Sequence, residues 1–339
     1  MPTATLWCPA YALPSAEAAQ RAHQGMEALA GATGLDWIAA PSCERLGYPS
    51  TWPDARLRQA ELASLWGSDI LVAARGGYGC IHLADQILAW PGPAPGLIGY
   101  SDLTVLHALW HRRGWGETIY GFMPATPYGR RSLASTAALV RGEGLDLGPA
   151  SVPGPTAIRP GRALGTCFAA CVRVLSGLCG TGLQPDLGGC ILALEDVDER
   201  VYRLDRDLEQ LHRSGTLAGI RGLVLGTLSA TEPAGYAGPD RLALARTWSE
   251  RLDVPCLFGL PFGHDQDPIS LANGRATTLT VDAEGGWSLV QAGLPARAST
   301  AGLSGIDGMA PRRETQIAAA AAAKRRRSWG ARPSTRATA

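Results

Sequence analysis

Residues 69–114 read DILVAARGGYGCIHLADQILAWPGPAPGLIGYSDLTVLHALWHRRG. Two short apolar runs, DILVAA and LIGY, each give way at once to helix-type spacing, in CIHLADQILAW and in SDLTVLHALWHRRG. Strands without alternation, separated by amphipathic helices, are the pattern of a parallel sheet covered by helices. Toward the N-terminus the pattern continues. TATLWCPAY reads as a buried strand, SAEAAQRAHQGMEALAGATG as a helix with a glycine stop, and DARLRQAELASLWGS as another amphipathic helix.

Toward the C-terminus the rhythm lapses between about 125 and 160, where ATPYGRRS, one helix and the Pro- and Gly-rich GPASVPGPTAIRPG form a boundary. Beyond it, CFAACVRVLSGLCG reads as a helix, CILALED as a buried strand, and YRLDRDLEQLHRSG as an amphipathic helix. GIRGLVLGTL and VPCLFGLPFGH read as strands flanking a helix at DRLALARTWSERL, and GRATTLTVDAEGGWSLVQ as a hairpin turned at Glu284, Gly285 and Gly286. The expected class is α/β: a parallel-sheet N-terminal domain over 1–125, a linker over 126–160, and a smaller, strand-rich C-terminal α/β domain over 161–296. A disordered basic tail is expected over 297–339.

Composition narrows the function. The 339 residues are 46% hydrophobic and 18% charged, with a mean hydropathy of zero, as in a globular protein rather than a collagen, a coiled coil or a membrane bundle. The net charge of +1 divides into +7 on residues 297–339 and −6 on the rest. An acidic body argues against a nucleic-acid-binding fold, although the tail's KRRR run is the place where a nucleic-acid or membrane-surface arm would lie. Lys324 is the lone lysine, which leaves no lysine in the body for Schiff-base chemistry. The eight cysteines stand singly, without CxxC pairs, as expected of buried free thiols in a reducing cytoplasm. The N-terminus lacks a signal peptide's basic and apolar regions, and no run reaches the length of a membrane span.

Five sets of residues could carry chemistry. Ser101 stands where LIGY gives way to a helix, so its hydroxyl and the first helical N–H groups face one spot; it serves as a nucleophile or simply as an N-cap. In ARGGYGC, residues 74–80, Gly76, Gly77 and Gly79 allow positive φ and close backbone approach, fit for an oxyanion or for a plain tight turn. Glu195 and His264 each end a strand-like run, where ligands gather in α/β proteins; a solvated acidic loop and a structural histidine are the plainer alternatives. His107 and His111 have the i, i+4 spacing of a helical zinc pair, but Ala108 stands where the metalloprotease glutamate would be, which favours packing over metal. Ser101, Glu195 and His264 together supply nucleophile, orienting acid and base.

The stretches CERLGYP, ARGGYG, GYSDLTVLHALW, LALEDVDERVYRLDRDLEQLHRSG, GLVLGTL and GLPFGHDQDPISLANGRATTL, in this order, resemble the LD-carboxypeptidases, a serine peptidase family that includes muramoyltetrapeptide carboxypeptidases and microcin C immunity peptidases. The resemblance implies a triad of Ser101, Glu195 and His264, with the N–H groups of Gly77 and Asp102 as oxyanion donors. It implies no metal or other cofactor, a murein peptide substrate that loses its terminal D-alanine in cell-wall recycling, and a homodimer; a cytoplasmic setting with no nucleic-acid or membrane partner is the expectation from charge, cysteine usage and the lack of apolar spans. Microcin-type immunity and a non-catalytic peptide-binding module are the alternatives. Gly165, Thr166 and Cys167 stand where the family usually has a GGN-like turn, and the basic tail has no family counterpart.

Overall fold

The strand and helix steps expected of residues 1–114 recur in the computed structural model, which describes residues 2–46, 55–229 and 232–294. The chain runs through β1 (Thr3–Trp7), α1 (Ala16–Thr33), β2 (Asp36–Ala39), α2 (Ala55–Leu65), β3 (Ile70–Ala73), α3 (Ala84–Leu88), β4 (Gly96–Gly99), α4 (Thr104–Arg113) and β5 (Thr118–Tyr120). It continues through α5 (Arg130–Val140), β6 (Leu145–Leu147), β7 (Thr156–Arg159), β8 (Gly161–Cys171), α6 (Val172–Ser176), β9 (Cys190–Asp196), α7 (Val201–Arg213) and β10 (Gly222–Leu228). Last come α8 (Arg241–Leu252), β11 (Cys256–Leu260), β12 (Leu271–Asn273), β13 (Ala276–Val281) and β14 (Trp287–Gln291). The tail and the Gly47–Pro49 part of the CERLGYP stretch lie outside the described residues.

Two sheets result. The first has the order β12-β5-β4-β3-β1-β2 and is parallel except where β12 meets β5. The second, β6-β14-β13-β8-β9-β10-β11-β7, has four parallel strands at its centre and antiparallel strands on both sides. The fold is therefore mixed α/β, with a parallel-rich sheet first and a strand-rich C-terminal part. The expected hairpin forms between β13 and β14, with Val281 opposite Trp287.

Local chemistry sets several boundaries. Ser15 accepts the Ala18 N–H at the start of α1, and Gly34, at φ 75°, closes it. Asp240 caps α8 in the same way through the Ala243 N–H. The start of α5 is capped from far along the chain: the Asp267 carboxylate accepts the N–H groups of Gly129, Arg131 and Ser132 at 2.8–3.1 Å. That bond set ties the loop carrying His264 to a helix of the N-terminal half.

One expected element is corrected. CFAACVRVLSGLCG is not a helix throughout: residues up to Cys171 belong to strand β8, and only Val172–Ser176 are helical. Strand β8 lies between β13 and β9, and residues Cys167–Cys171 are buried. A strand covered on both faces has no alternation to distinguish it from a buried helix. The same correction places Gly165, Thr166 and Cys167 inside β8 rather than in a helix-opening turn.

The cysteines are free thiols, buried except for the half-buried Cys179. Folding nonetheless brings Cys8 and Cys43 together, with sulfurs 3.9 Å apart. Among the described residues no helix is long and apolar enough to cross a membrane.

Candidate active site

The carboxyl ends of the parallel strands bring the candidate residues forward. Ser101 follows β4 and opens a turn of 3₁₀ helix that leads into α4. The glycine turn follows β3, Glu195 is the penultimate residue of β9, and His264 lies just beyond β11.

Ser101 is held at φ 66°, a left-handed conformation that few residues with a side chain adopt. Its N–H donates to the Tyr120 hydroxyl at 3.2 Å. Gly76 lies directly against it: a Cβ at that glycine would come within 2.9 Å of the Ser101 Cβ and 3.1 Å of Oγ. Gly77 and Gly79 provide the positive φ angles of the turn, 127° and 140°. The buried Asp102 side chain joins the two segments, since its Oδ2 accepts the Cys80 N–H at 2.8 Å. Burial raises the Asp102 pKa, against the opposing pull of the Cys80 and Gly79 N–H groups.

Glu195 and His264 form a bonded pair. The imidazole Nδ1 lies 2.8 Å from Glu195 Oε2, and the His264 backbone N–H donates to the same oxygen at 3.1 Å. A carboxylate oxygen accepts, so Nδ1 carries the hydrogen and Nε2 is left as the basic nitrogen. Glu195 is fully buried, while the His264 side chain retains 20% exposure. Burial alone would lower the imidazole pKa; Glu195 first, then Asp196 and Asp198, outweigh it and raise the value above that of an ordinary histidine. Gly263 makes the pairing possible, because a Cβ there would lie 2.2 Å from Glu195 Cδ.

The three segments therefore converge, although among the described residues no hydrogen bond joins Ser101 Oγ to the imidazole. Their links run through two tyrosines. The Tyr100 ring meets the His264 ring edge-on at 5.0 Å, and the Tyr120 hydroxyl donates to Glu195 Oε1 at 2.6 Å. Sequence reasoning missed Tyr120. Its strand is three residues long, but the βαβ rhythm requires a strand after α4, and the apolar TIY was there to fill it.

The His107 and His111 nitrogens have other partners. His107 bonds Gly99 O through Nε2 at 2.8 Å and Thr118 Oγ1 through Nδ1 at 2.7 Å, while His111 Nε2 bonds Asp186 O at 2.7 Å. Among the described residues no group of three potential ligands could hold a metal ion.

Family models match the LD-carboxypeptidase N-terminal domain at residues 5–121 and its C-terminal domain at 164–279. A protein of Streptomyces coelicolor named as a carboxypeptidase is 34% identical over 241 residues, 66% of this chain and 74% of that protein. The chain belongs to the LD-carboxypeptidase family. The murein tetrapeptide carboxypeptidase of Pseudomonas aeruginosa is 30% identical over 220 residues, 60% of this chain and 70% of its own. Among solved structures, the muramoyltetrapeptide carboxypeptidase of Oxalobacter formigenes superposes with a TM-score of 0.71 at 25% identity, covering 86% of this LD-carboxypeptidase and all of the other chain.

Proposed function

We propose that this LD-carboxypeptidase acts through Ser101, Glu195 and His264, cleaving the L,D peptide bond of murein tetrapeptide and releasing terminal D-alanine for cell-wall recycling in the cytoplasm. The observation that carries the reading is the buried Glu195 bonded to His264 Nδ1 at 2.8 Å, beside a serine on a left-handed turn.

In this mechanism His264 Nε2 takes the Ser101 hydroxyl proton as Oγ attacks the scissile carbonyl, and Glu195 stabilises the imidazolium. The tetrahedral oxyanion is received by the N–H groups of Asp102 and Gly77, each such donor contributing about 100- to 1000-fold in rate. The Ser101 N–H is already given to Tyr120, which leaves the oxyanion to these other donors. Collapse breaks the C–N bond, and His264 passes its proton to the departing D-alanine amine. Water then loses a proton to His264 and attacks the acyl-enzyme; as the ester C–O bond breaks, His264 returns that proton to Ser101 Oγ, which frees the tripeptide and restores the serine.

The test is D-alanine release from L-Ala-γ-D-Glu-meso-diaminopimelyl-D-Ala, with and without chelator, by the wild type and by Ser101→Ala. Release that resists the chelator and vanishes in the variant is expected; no release, or undiminished release by the variant, refutes the proposal. Since His264 acts as the neutral base and its pKa is raised, kcat/KM should fall on the acid side with a midpoint above that of an ordinary histidine, about 6.5. A peptidyl-nucleotide substrate belongs in the same assay as the microcin-type alternative. The short stretch from Gly165 to Glu195 leaves little room for the extra loop of that branch.

A further inference from the structure

Tyr120 stands at the junction of every group just described. It ends β5 opposite Gly99 of β4 and Leu271 of β12, and its side chain is fully buried. The ring packs among His107, Tyr100 and Phe262, with centroids 5.3, 6.2 and 6.3 Å away. Its hydroxyl has two uses at once: it accepts the Ser101 N–H at 3.2 Å and donates to Glu195 Oε1 at 2.6 Å. The second distance is that of a charge-assisted O–H···O⁻ bond. Burial, and then the Glu195 charge, push the phenol pKa well up, so the group remains a donor across the working pH range. Glu195 thus has a donor on each oxygen, with Tyr120 on Oε1 and His264 on Oε2.

We propose that Tyr120 is a positioning residue of the reaction: one buried phenol fixes both the backbone of the nucleophile and the free oxygen of the orienting acid, so that the serine turn and the Glu195–His264 pair are held as one body across the two sheets. This rests on the roles proposed above for Ser101, Glu195 and His264. The phenol also spreads the carboxylate's charge. Removing its hydroxyl returns that charge to the side facing His264, which favours the imidazolium. Other groups bearing on the trio are Cys171 and Asp196 from β8 and β9, Asp198 beyond β9, the Thr104 hydroxyl of α4, Tyr100 and the buried His107.

The test is Tyr120→Phe, which keeps the ring and its packing. The expected result is a kcat about 10- to 100-fold lower with KM little changed. In addition, the His264 imidazole midpoint followed by NMR should move upward by about half a unit to one unit. In a Glu195→Gln background the same substitution should cost less kcat, since the part that runs through the carboxylate charge is gone and only the part that runs through the Ser101 N–H remains. An unchanged kcat and midpoint, or an undiminished loss in the Glu195→Gln background, overturns the proposal. If the Phe variant fails to melt like the wild type, the intact protein decides: the Tyr120 hydroxyl proton resonance must shift as His264 titrates, and a resonance that stays fixed overturns the coupling. Both NMR readings need no substrate. A protein that releases no D-alanine yet shows them loses the functional proposal and keeps the coupling.

Discussion

At Ser101 a residue with a side chain is held at φ 66°, which costs on the order of 1–2 kcal/mol relative to an ordinary backbone. The strain persists because the surroundings hold the turn on both sides: Tyr120 takes the serine N–H, and Asp102 clasps the glycine turn through Cys80. Strain of this kind is a stability cost borne for position. Ser101→Gly, which relieves it, should therefore give an inactive protein whose unfolding free energy is equal to or up to about 1 kcal/mol above that of the wild type. Thermal melts of the two proteins check this; a clear destabilisation would show that the serine side chain contributes packing instead. At this scale the sequence showed which residue types were available. GYSD announced a serine on a strand-to-helix turn, and LED and FGH announced an acid and a base at strand ends. Nothing in those segments showed that Glu195 would bond His264, or that Tyr120 would sit between Glu195 and the serine, because these partners lie 69 and 75 residues apart along the chain.

Among the elements, α4 serves two purposes. It continues the 3₁₀ turn that carries Ser101, while its His107 reaches back to Gly99 O at the end of β4 and to Thr118 of β5. A carbonyl only accepts, so Nε2 donates to Gly99 and Nδ1 accepts the Thr118 hydroxyl, which fixes a neutral imidazole in this clasp. Burial pushes the His107 pKa down from 6.5 to about 4. The folded value lies below the unfolded one, so the unfolded chain binds the proton first. The stabilisation is complete above about pH 6.5, is lost as the pH falls, and stops declining below about pH 4, for a total of about 3 kcal/mol. His107→Gln, which keeps a donor and an acceptor without titrating, should flatten the fall in urea midpoint between pH 7 and 4.5; an unchanged fall would assign the acid sensitivity to other groups. Most elements were legible because amphipathic helices and their glycine stops are local signals. β8 was not, since a strand buried on both faces has the apolar run of a buried helix.

In the whole molecule, residues 1–296 form one compact unit, and the last strands bind its two sheets together. β12 adds to the first sheet and β13, only two residues later, to the second. Asn273 at this crossing bonds the Ala169 N–H and C=O at 2.6 and 3.1 Å, and the buried Arg275 holds Glu117 at 2.7 Å. The candidate catalytic residues, at 101, 195 and 264, all precede the +7 stretch from 297 to 339. A chain ending at residue 296 should therefore release D-alanine with the kcat/KM of the full protein. Loss of activity on truncation would instead make the tail part of the working enzyme.

By itself the sequence determined the α/β class, nearly all the helices, the glycine turn, the serine turn and the family, because these depend on short-range periodicity and on motifs that a single segment contains. The tertiary structure alone decided the insertion of Tyr120 between acid and serine, the strand identity of β8 and the capping of α5 by Asp267, and it gave the Glu195–His264 pair, implied beforehand by the family resemblance, its bond geometry. Each of these is a contact between segments distant in sequence, and its strength comes from burial and hydrogen-bond geometry that exist only once the sheets have formed.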